Sequence, residues 1–228
     1  MEYHKIETLY ERDENTFKVK PGVLKNPVYS LIKEWQWTEK IDGINARIMW
    51  NANQFNEEGT ERGNLSVGGK TDTAQLPVDF VQYLLKLVPI AKLREVFPAA
   101  QVVLYGEGYG AGIQKGGCYS PTKKFILFDV FVCDTPDNNK MGGWWLNWEN
   151  TCDVAKKLGL DVVPYIGCWT LEGATRLVQA GFLSYIQANP NGSFLAEGLV
   201  GRPAETFFDK KGARLIVKLK TKDFAKEK

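Results

Sequence analysis

Residues 35–50 read Trp-Gln-Trp-Thr-Glu-Lys-Ile-Asp-Gly-Ile-Asn-Ala-Arg-Ile-Met-Trp. Two stretches rich in aromatic and β-branched residues, Trp35–Thr38 and Asn45–Trp50, flank the tetrapeptide Lys40-Ile41-Asp42-Gly43. The flanks predict strands. In an extended segment Lys40 and Asp42 project on one face, and Gly43 lets the backbone turn or approach a ligand. The same strand-like composition recurs at Leu65–Gly68, Val102–Tyr105, Phe125–Val132, Val162–Ile166, Phe194–Val200 and Leu215–Leu219. Leu76–Phe97 has apolar residues at helical spacing, and Pro89 must kink or split it. Asn147–Leu158, stopped by Gly159, and Leu171–Ala180 predict two further amphipathic helices. Helices and strands are mixed without strict alternation, which points to an α+β fold with twisted antiparallel sheets flanked by helices.

The chain has 228 residues, 44% of them hydrophobic and 25% charged, with a net charge of +2. That length buries a sizeable core without disulfide or metal staples. No repeat, low-complexity tract or linker divides the sequence, so residues 1–228 are expected to form a single domain. The small net charge excludes a strongly basic coat protein but allows a local basic face. The four cysteines, Cys118, Cys133, Cys152 and Cys168, form no C-x-x-C pair. They read as reduced thiols of a cytoplasmic protein. Neither a signal peptide nor an apolar run of membrane-spanning length is present, so no membrane association is expected. The one histidine, His4, lies in a polar segment, which argues against Ser-His or Cys-His catalysis and leaves lysines and carboxylates.

Several motifs carry that chemistry. Leu215-Ile216-Val217-Lys218-Leu219-Lys220 alternates strictly, so Lys218 and Lys220 share a face, their attachment points about 6.5–7 Å apart, and can aim two cations at one phosphate. Tyr105-Gly106-Glu107-Gly108 and Ala196-Glu197-Gly198 each set a carboxylate at an apolar strand end, where an unpaired charge is costly to bury. A salt bridge to a lysine would satisfy either one. In Phe125-Ile126-Leu127-Phe128-Asp129-Val130, Phe128 should lie on the face opposite Asp129 and line a pocket. Gly106, Gly108, Gly110, Gly112, Gly116 and Gly117 read as a glycine-dense loop, although neither a dinucleotide fingerprint nor a phosphate-binding loop signature is present.

The order of these elements, K-x-D-G at 40–43, Glu107, F-D at 128–129, E-G-x-V at 197–200 and K-x-K at 218–220, resembles the covalent nucleotidyltransferase superfamily of ATP-dependent ligases and mRNA capping enzymes. TEKIDGINAR, VGGKTDTAQ, LYGEGYGAGIQKGG, FILFDV and the segment from EGLVGRP to KLKTKDF look most like phage RNA ligases of the RNA ligase 2 type. The resemblance implies an ATP-grasp-like ligase adenylation domain. Ligases and capping enzymes of that superfamily carry a further domain after the last lysine strand. Here only Thr221–Lys228 follow Lys220, so a minimal form without an OB-fold or other C-terminal domain is expected.

The resemblance makes Lys40 the nucleophile that takes AMP from ATP, with Lys218 and Lys220 holding the α-phosphate. A nucleophilic amine must be neutral, and neighbouring cations push it that way. By the same resemblance Glu107 binds the ribose, Phe128 stacks on adenine, and Glu39 with the Ile41 backbone flanks the base. Asn45 contacts the nucleotide or its metal shell, and Lys70, standing where the family usually has arginine, contacts the ribose or the acceptor 5′-phosphate. Asp42 and Glu197 orient waters around Mg²⁺, with Mn²⁺ an alternative. The implied reaction joins RNA 3′-hydroxyl and 5′-phosphate ends through a lysine–AMP intermediate and an adenylated 5′-end.

Lys115, Lys123, Lys124, Lys210, Lys211 and Arg214, interleaved with Tyr119 and Phe125, are candidate contacts to RNA phosphates. Trp144, Trp145 and Trp148 are read as opening the Asn147–Leu158 helix, with packing favoured over base stacking. Two other readings stand beside this one: a DNA or mixed RNA/DNA nick-sealing ligase, and a catalytically silent nucleotide- or RNA-binding module. A monomer is expected.

Overall fold

A computed structural model describes residues 1–52, 63–114, 118–133, 142–186, 193–210 and 212–224. The chain divides into two compact units, one formed by Met1–Tyr3 with Gly43–Val162 and the other by His4–Asp42 with Val163–Lys228. No helix among the described residues is long and apolar enough to cross a membrane, and the four cysteines form no disulfide.

In the second unit, β1 (Glu7–Thr8), β4 (Trp35–Lys40), β10 (Tyr165–Trp169), β11 (Gly198–Arg202) and β12 (Val217–Lys220) form a sheet in the order β1-β12-β11-β4-β10. Every neighbouring pair is antiparallel except β1 with β12, which is parallel. A hairpin of β2 (Tyr10–Arg12) and β3 (Val19–Leu24) belongs to the same unit. Trp35, Trp37, Leu199, Val217 and Leu219 pack with Leu9 and with Ala174 and Val178 of α4 (Leu171–Ala180). Burial of each large apolar side chain there contributes about 1.5–3 kcal/mol.

In the first unit, β5 (Ile44–Asn51), β6 (Asn64–Gly69), β7 (Gln101–Tyr109), β8 (Lys124–Cys133) and β9 (Gly143–Trp145) form an antiparallel sheet in the order β6-β5-β7-β8-β9. One face packs Ile48, Trp50, Leu104 and Leu127 into a core with Phe80 and Leu84 of α1 (Val78–Leu87), Leu93 of α2 (Ile90–Val96), and Val154 and Leu158 of α3 (Trp148–Leu158). Pro89 splits the Leu76–Phe97 stretch as its fixed geometry requires. The α3 helix starts where the Asn147 side chain accepts from Asn150 N and stops at left-handed Gly159.

Several expectations change. Gly106 and Gly108 lie inside β7, not in a loop. A Cβ on Gly106 would sit 2.3 Å from the Phe125 ring, and one on Gly108 would sit 2.4 Å from the Phe80 ring. These glycines let aromatic rings lie against the strand. Trp144 and Trp145 belong to β9, and only Trp148 opens the helix. Phe125 and Tyr119 are buried, so they do not present rings to RNA. Lys124 and Lys210 are exposed and Arg214 is half-buried. The strand expected at Val162–Ile166 begins at Tyr165, while Val162 forms an isolated bridge to Leu127. The strand expected from Phe194 forms a continuous strand only from Gly198, with Leu195 in an isolated antiparallel bridge to Leu183, and the one expected from Leu215 begins at Val217. Lys115, Gly116, Gly117 and Lys211 lie outside the described residues.

Candidate active site

Lys40 closes β4, after which the chain bends at Asp42 and Gly43 before entering β5. The cross-strand register decides what Lys40 meets. Gly198 at the start of β11 pairs with Lys40 on one side and with Lys220 on the other. A Cβ on Gly198 would lie 1.9 Å from the Leu219 carbonyl oxygen. Only glycine lets β11 approach β12 so closely, and that approach sets the preceding Glu197 between two lysines.

The Lys40 Nζ lies 2.5 Å from Glu197 Oε2, and the Lys220 Nζ lies 2.8 Å from Glu197 Oε1. All three side chains are mostly buried, at 22% exposure for each lysine and 15% for Glu197. One carboxylate thus holds two ammonium groups, the three side chains brought together from three separate segments. The Glu197 carbonyl also accepts from Thr221 N at 2.8 Å, and Thr221 Oγ1 donates to the Ala196 carbonyl at 2.9 Å. Lys218 and Lys220 are partly exposed while Val217 and Leu219 are buried, as the alternation predicts.

Glu39 is 1% exposed. Its Oε1 accepts from Ser184 Oγ at 2.5 Å and its Oε2 from Tyr185 N at 2.8 Å. Burial pushes this carboxyl above the ordinary glutamate range, and the two hydrogen bonds work against that rise. Ile41 is buried, and its carbonyl lies 3.5 Å from Lys40 Nζ.

The other candidate residues belong to the first unit. Asn45 on β5 and Glu107 on β7 are direct cross-strand partners. Lys70 is exposed just after β6, where its carbonyl accepts from Tyr3 N at 3.3 Å. Phe128 departs from the strict alternation read from the sequence. The register of β8 slips so that Tyr105 pairs with Asp129 and Gly106 with Leu127, leaving Phe128 as the extra residue of a bulge. The core takes Phe125, Leu127 and then Val130, a change of parity across the bulge. Phe128 and Asp129 therefore share one face. Tyr3 meets both: its hydroxyl donates to Asp129 Oδ2 at 2.8 Å, and its ring packs edge-on against Phe128 with centroids 5.1 Å apart.

That same face holds residues the sequence reading passed over. Arg47 is fully buried and donates to the carbonyls of Gly69 and Met1 and to Asp72 Oδ1, at 2.6, 2.8 and 2.9 Å. Tyr105 Oη also donates to the Met1 carbonyl, at 2.9 Å, and burial keeps its phenol protonated by raising its pKa. These bonds fix Met1–Tyr3 on the sheet. Alternation along β5 puts Arg47 on the face of Asn45 and was the available signal. Lys123 forms an ion pair with Asp79, so it is a surface charge already matched.

The family model for RNA ligases matches residues 33–220. No curated protein matches the chain in sequence. Among solved structures, a Naegleria gruberi RNA ligase variant with ATP and Mn is similar at 18% identity and a TM-score of 0.58, over 94% of this chain and 55% of that one. A second variant of that enzyme, with AMP and Mn, is similar at 15% identity and a TM-score of 0.59, over 96% and 62%. An archaeal ATP-dependent RNA ligase is similar at 14% identity and a TM-score of 0.57, over 98% and 49%. This chain spans roughly half to three fifths of the length of these relatives. At such identities the likeness shows a shared fold. The family model covers most of the chain, including the Lys40, Glu197 and Lys220 cluster, and by that match the chain belongs to the RNA ligase family.

Proposed function

We propose that residues 1–228 act as one adenylylating nucleotidyltransferase domain, that of an ATP-dependent RNA ligase of the phage RNA ligase 2 type. The observation that carries the reading is the Glu197 carboxylate held between Lys40 Nζ and Lys220 Nζ at 2.5 and 2.8 Å. The related structures holding ATP or AMP with Mn support the cofactors.

Lys40 Nζ attacks the α-phosphorus of ATP, forming a nitrogen–phosphorus bond as the bond to the β-phosphate oxygen breaks and diphosphate leaves. Glu197 Oε2 is placed to accept the proton that the amine sheds. Lys218 and Lys220 stabilise the charge that develops on the α-phosphate. AMP then passes to an RNA 5′-phosphate, and a 3′-hydroxyl displaces it to seal the strand. On the other unit, Phe128 offers a ring for adenine and Glu107 a carboxylate for the ribose, with Asn45 as its cross-strand partner. Lys70 is exposed and available to a phosphate. Glu39, with the Ile41 backbone, serves the base side by fixing the Ser184–Tyr185 segment.

Among the described residues no three His, Cys, Asp or Glu side chains converge on one point. That donor set fits Mg²⁺ rather than a caged metal, because magnesium keeps several waters and binds through few carboxylates plus substrate phosphates. Asp42 and Glu197 would hold its waters, and the bound ion would neutralise phosphate charge.

Incubation with α-labelled ATP and Mg²⁺ should label the protein covalently. Absence of label, or label persisting in Lys40→Ala, overturns the reading. Sealing assays on nicked RNA, RNA–DNA hybrid, DNA duplex and single strands then identify the polymer, and sealing of all-DNA nicks alone would reassign it as a DNA ligase. Bound RNA without adenylation would make it a silent binding module.

A further inference from the structure

The second unit contains an open cavity of about 480 Å³ lined by Lys5, Arg12, Lys25, Lys218, Lys220 and Lys222. Two carboxylates, Glu7 and Asp223, share that lining, so six cations face two anions. Asp223 is committed to Arg12 at 2.6 Å, and Glu7 lies 3.6 Å from Lys5. Lys25 and Lys222 are exposed and form no ion pair among the described residues. The strands explain the convergence. The parallel pairing of β1 with β12 sets Thr8 beside Lys218, and the turn at Thr221–Phe224 carries Lys222 on from Lys220. Lys25 is brought in where its backbone N–H donates to the Leu9 carbonyl at 2.9 Å. Lys5, Glu7, Arg12, Lys25, Lys222 and Asp223 all fall outside residues 33–220, the part matched by the family model.

Its position relative to the chemistry is set by two shared residues. Lys220 is joined through Glu197 to Lys40, and Lys218 precedes it on the same face of β12. With Glu197 matching Lys220 from beside the lining, a surplus of about three positive charges gathered in one small cavity complements a compact polyanion. A polynucleotide backbone instead spreads its charge along its length and asks for an extended basic stripe.

We propose that this cavity binds the diphosphate portion of ATP, first as the β- and γ-phosphates and then as the leaving group when Lys40 takes the AMP. The assignment rests on the adenylylation reading above. Lys25 and Lys222 act as positioning residues: they hold the leaving group without touching the reacting nitrogen.

The test uses the full chain and the charge-reversed double variant Lys25→Glu/Lys222→Glu, with Lys222→Arg as the conservative control. Inorganic diphosphate titrated into wild type should raise its unfolding midpoint, and the double variant should need at least about tenfold more to match. The KM for ATP in self-labelling and the diphosphate needed to strip AMP from the labelled enzyme should rise together in the double variant. Sealing of pre-adenylated RNA, which uses no diphosphate, should match wild type, and Lys222→Arg should behave as wild type throughout. Equal diphosphate affinity in wild type and double variant overturns the proposal. So does a loss confined to sealing of pre-adenylated RNA, which would assign the cavity to the RNA backbone. Failure of wild type to label at Lys40 would remove the ligase reading instead, while diphosphate binding lost in the double variant would still locate the anion site.

Discussion

The two units bring different kinds of order to their candidate residues. Around β4, β11 and β12 the important groups are charges that hold one another, Lys40 and Lys220 on one Glu197 carboxylate. On the β5, β7 and β8 face they are rings and close packing: Tyr3 against Tyr105 and Phe128, a bulge at Phe128, and Arg47 spent on fixing the chain start. The first arrangement can move protons and neutralise phosphate charge. Under the proposed function, the second presents a shaped surface to a planar base. Changes in the first should therefore act on the rate of covalent labelling, and changes in the second on the concentration of ATP required.

The largest effect should come from Lys40→Ala, which removes the amine proposed to form the phosphoramidate. Labelling by ATP should vanish, while the unfolding midpoint stays near that of wild type because the side chain ends on a half-buried ion pair rather than in the core. Next comes Glu197→Ala, which leaves two ammonium groups without the carboxylate that holds them. Single-turnover labelling at saturating ATP should slow by about 100-fold. A rate equal to wild type would show that the lysines hold their places without Glu197, and would break the charge-based half of the contrast.

Phe128→Ala probes the other half. Loss of a stacked ring costs about 1–3 kcal/mol per base, so the KM for ATP should rise about tenfold or more, with labelling at saturation close to wild type. A drop in the saturated rate as deep as that of Glu197→Ala would mean that the two faces do not divide the work.

The charge cluster was far more legible in sequence than the aromatic face, for a physical reason. Strand alternation alone separates Lys218 and Lys220 from Val217 and Leu219, and a carboxylate beside a glycine at a strand end calls for a cationic partner. The pairing of Glu197 with both lysines needed only the register through Gly198 to become definite. The bulge at Phe128 has no such local mark. It arises because Gly106 lets the Phe125 ring and the Ile126 carbonyl press against β7, a demand made by neighbouring strands. Likewise β1, β2 and β3 carry mixed polar residues with weak periodicity. Val19–Leu24, interrupted by Pro21 and Gly22, reads as loop until its partner strand is present. The basic cavity has no sequence mark either, because Lys5, Arg12, Lys25 and Lys222 are scattered along the chain and meet only through the β1–β12 pairing, the Lys25–Leu9 hydrogen bond and the turn after β12.

The smallest effect concerns a contrast inside the charged unit itself. Glu197 is held by ammonium groups, whereas its near neighbour in the sheet, Glu39, is buried and held by a hydroxyl and a backbone N–H. Burial raises the Glu39 carboxyl above the ordinary value of 4.5. A raised folded-state value means that the native chain binds the proton more tightly than the unfolded chain. The stability this contributes is full below the unfolded value and is lost as pH rises through the folded one. Chemical denaturation of wild type and Glu39→Gln at a series of pH values should therefore show wild type losing stability relative to the variant from about pH 4.5 upward. A difference that stays flat over that range would mean that Ser184 and Tyr185 fully offset the burial of the charge. The contrast between Glu39 and Glu197 within this unit would then reduce to the identity of the donors that hold each carboxylate.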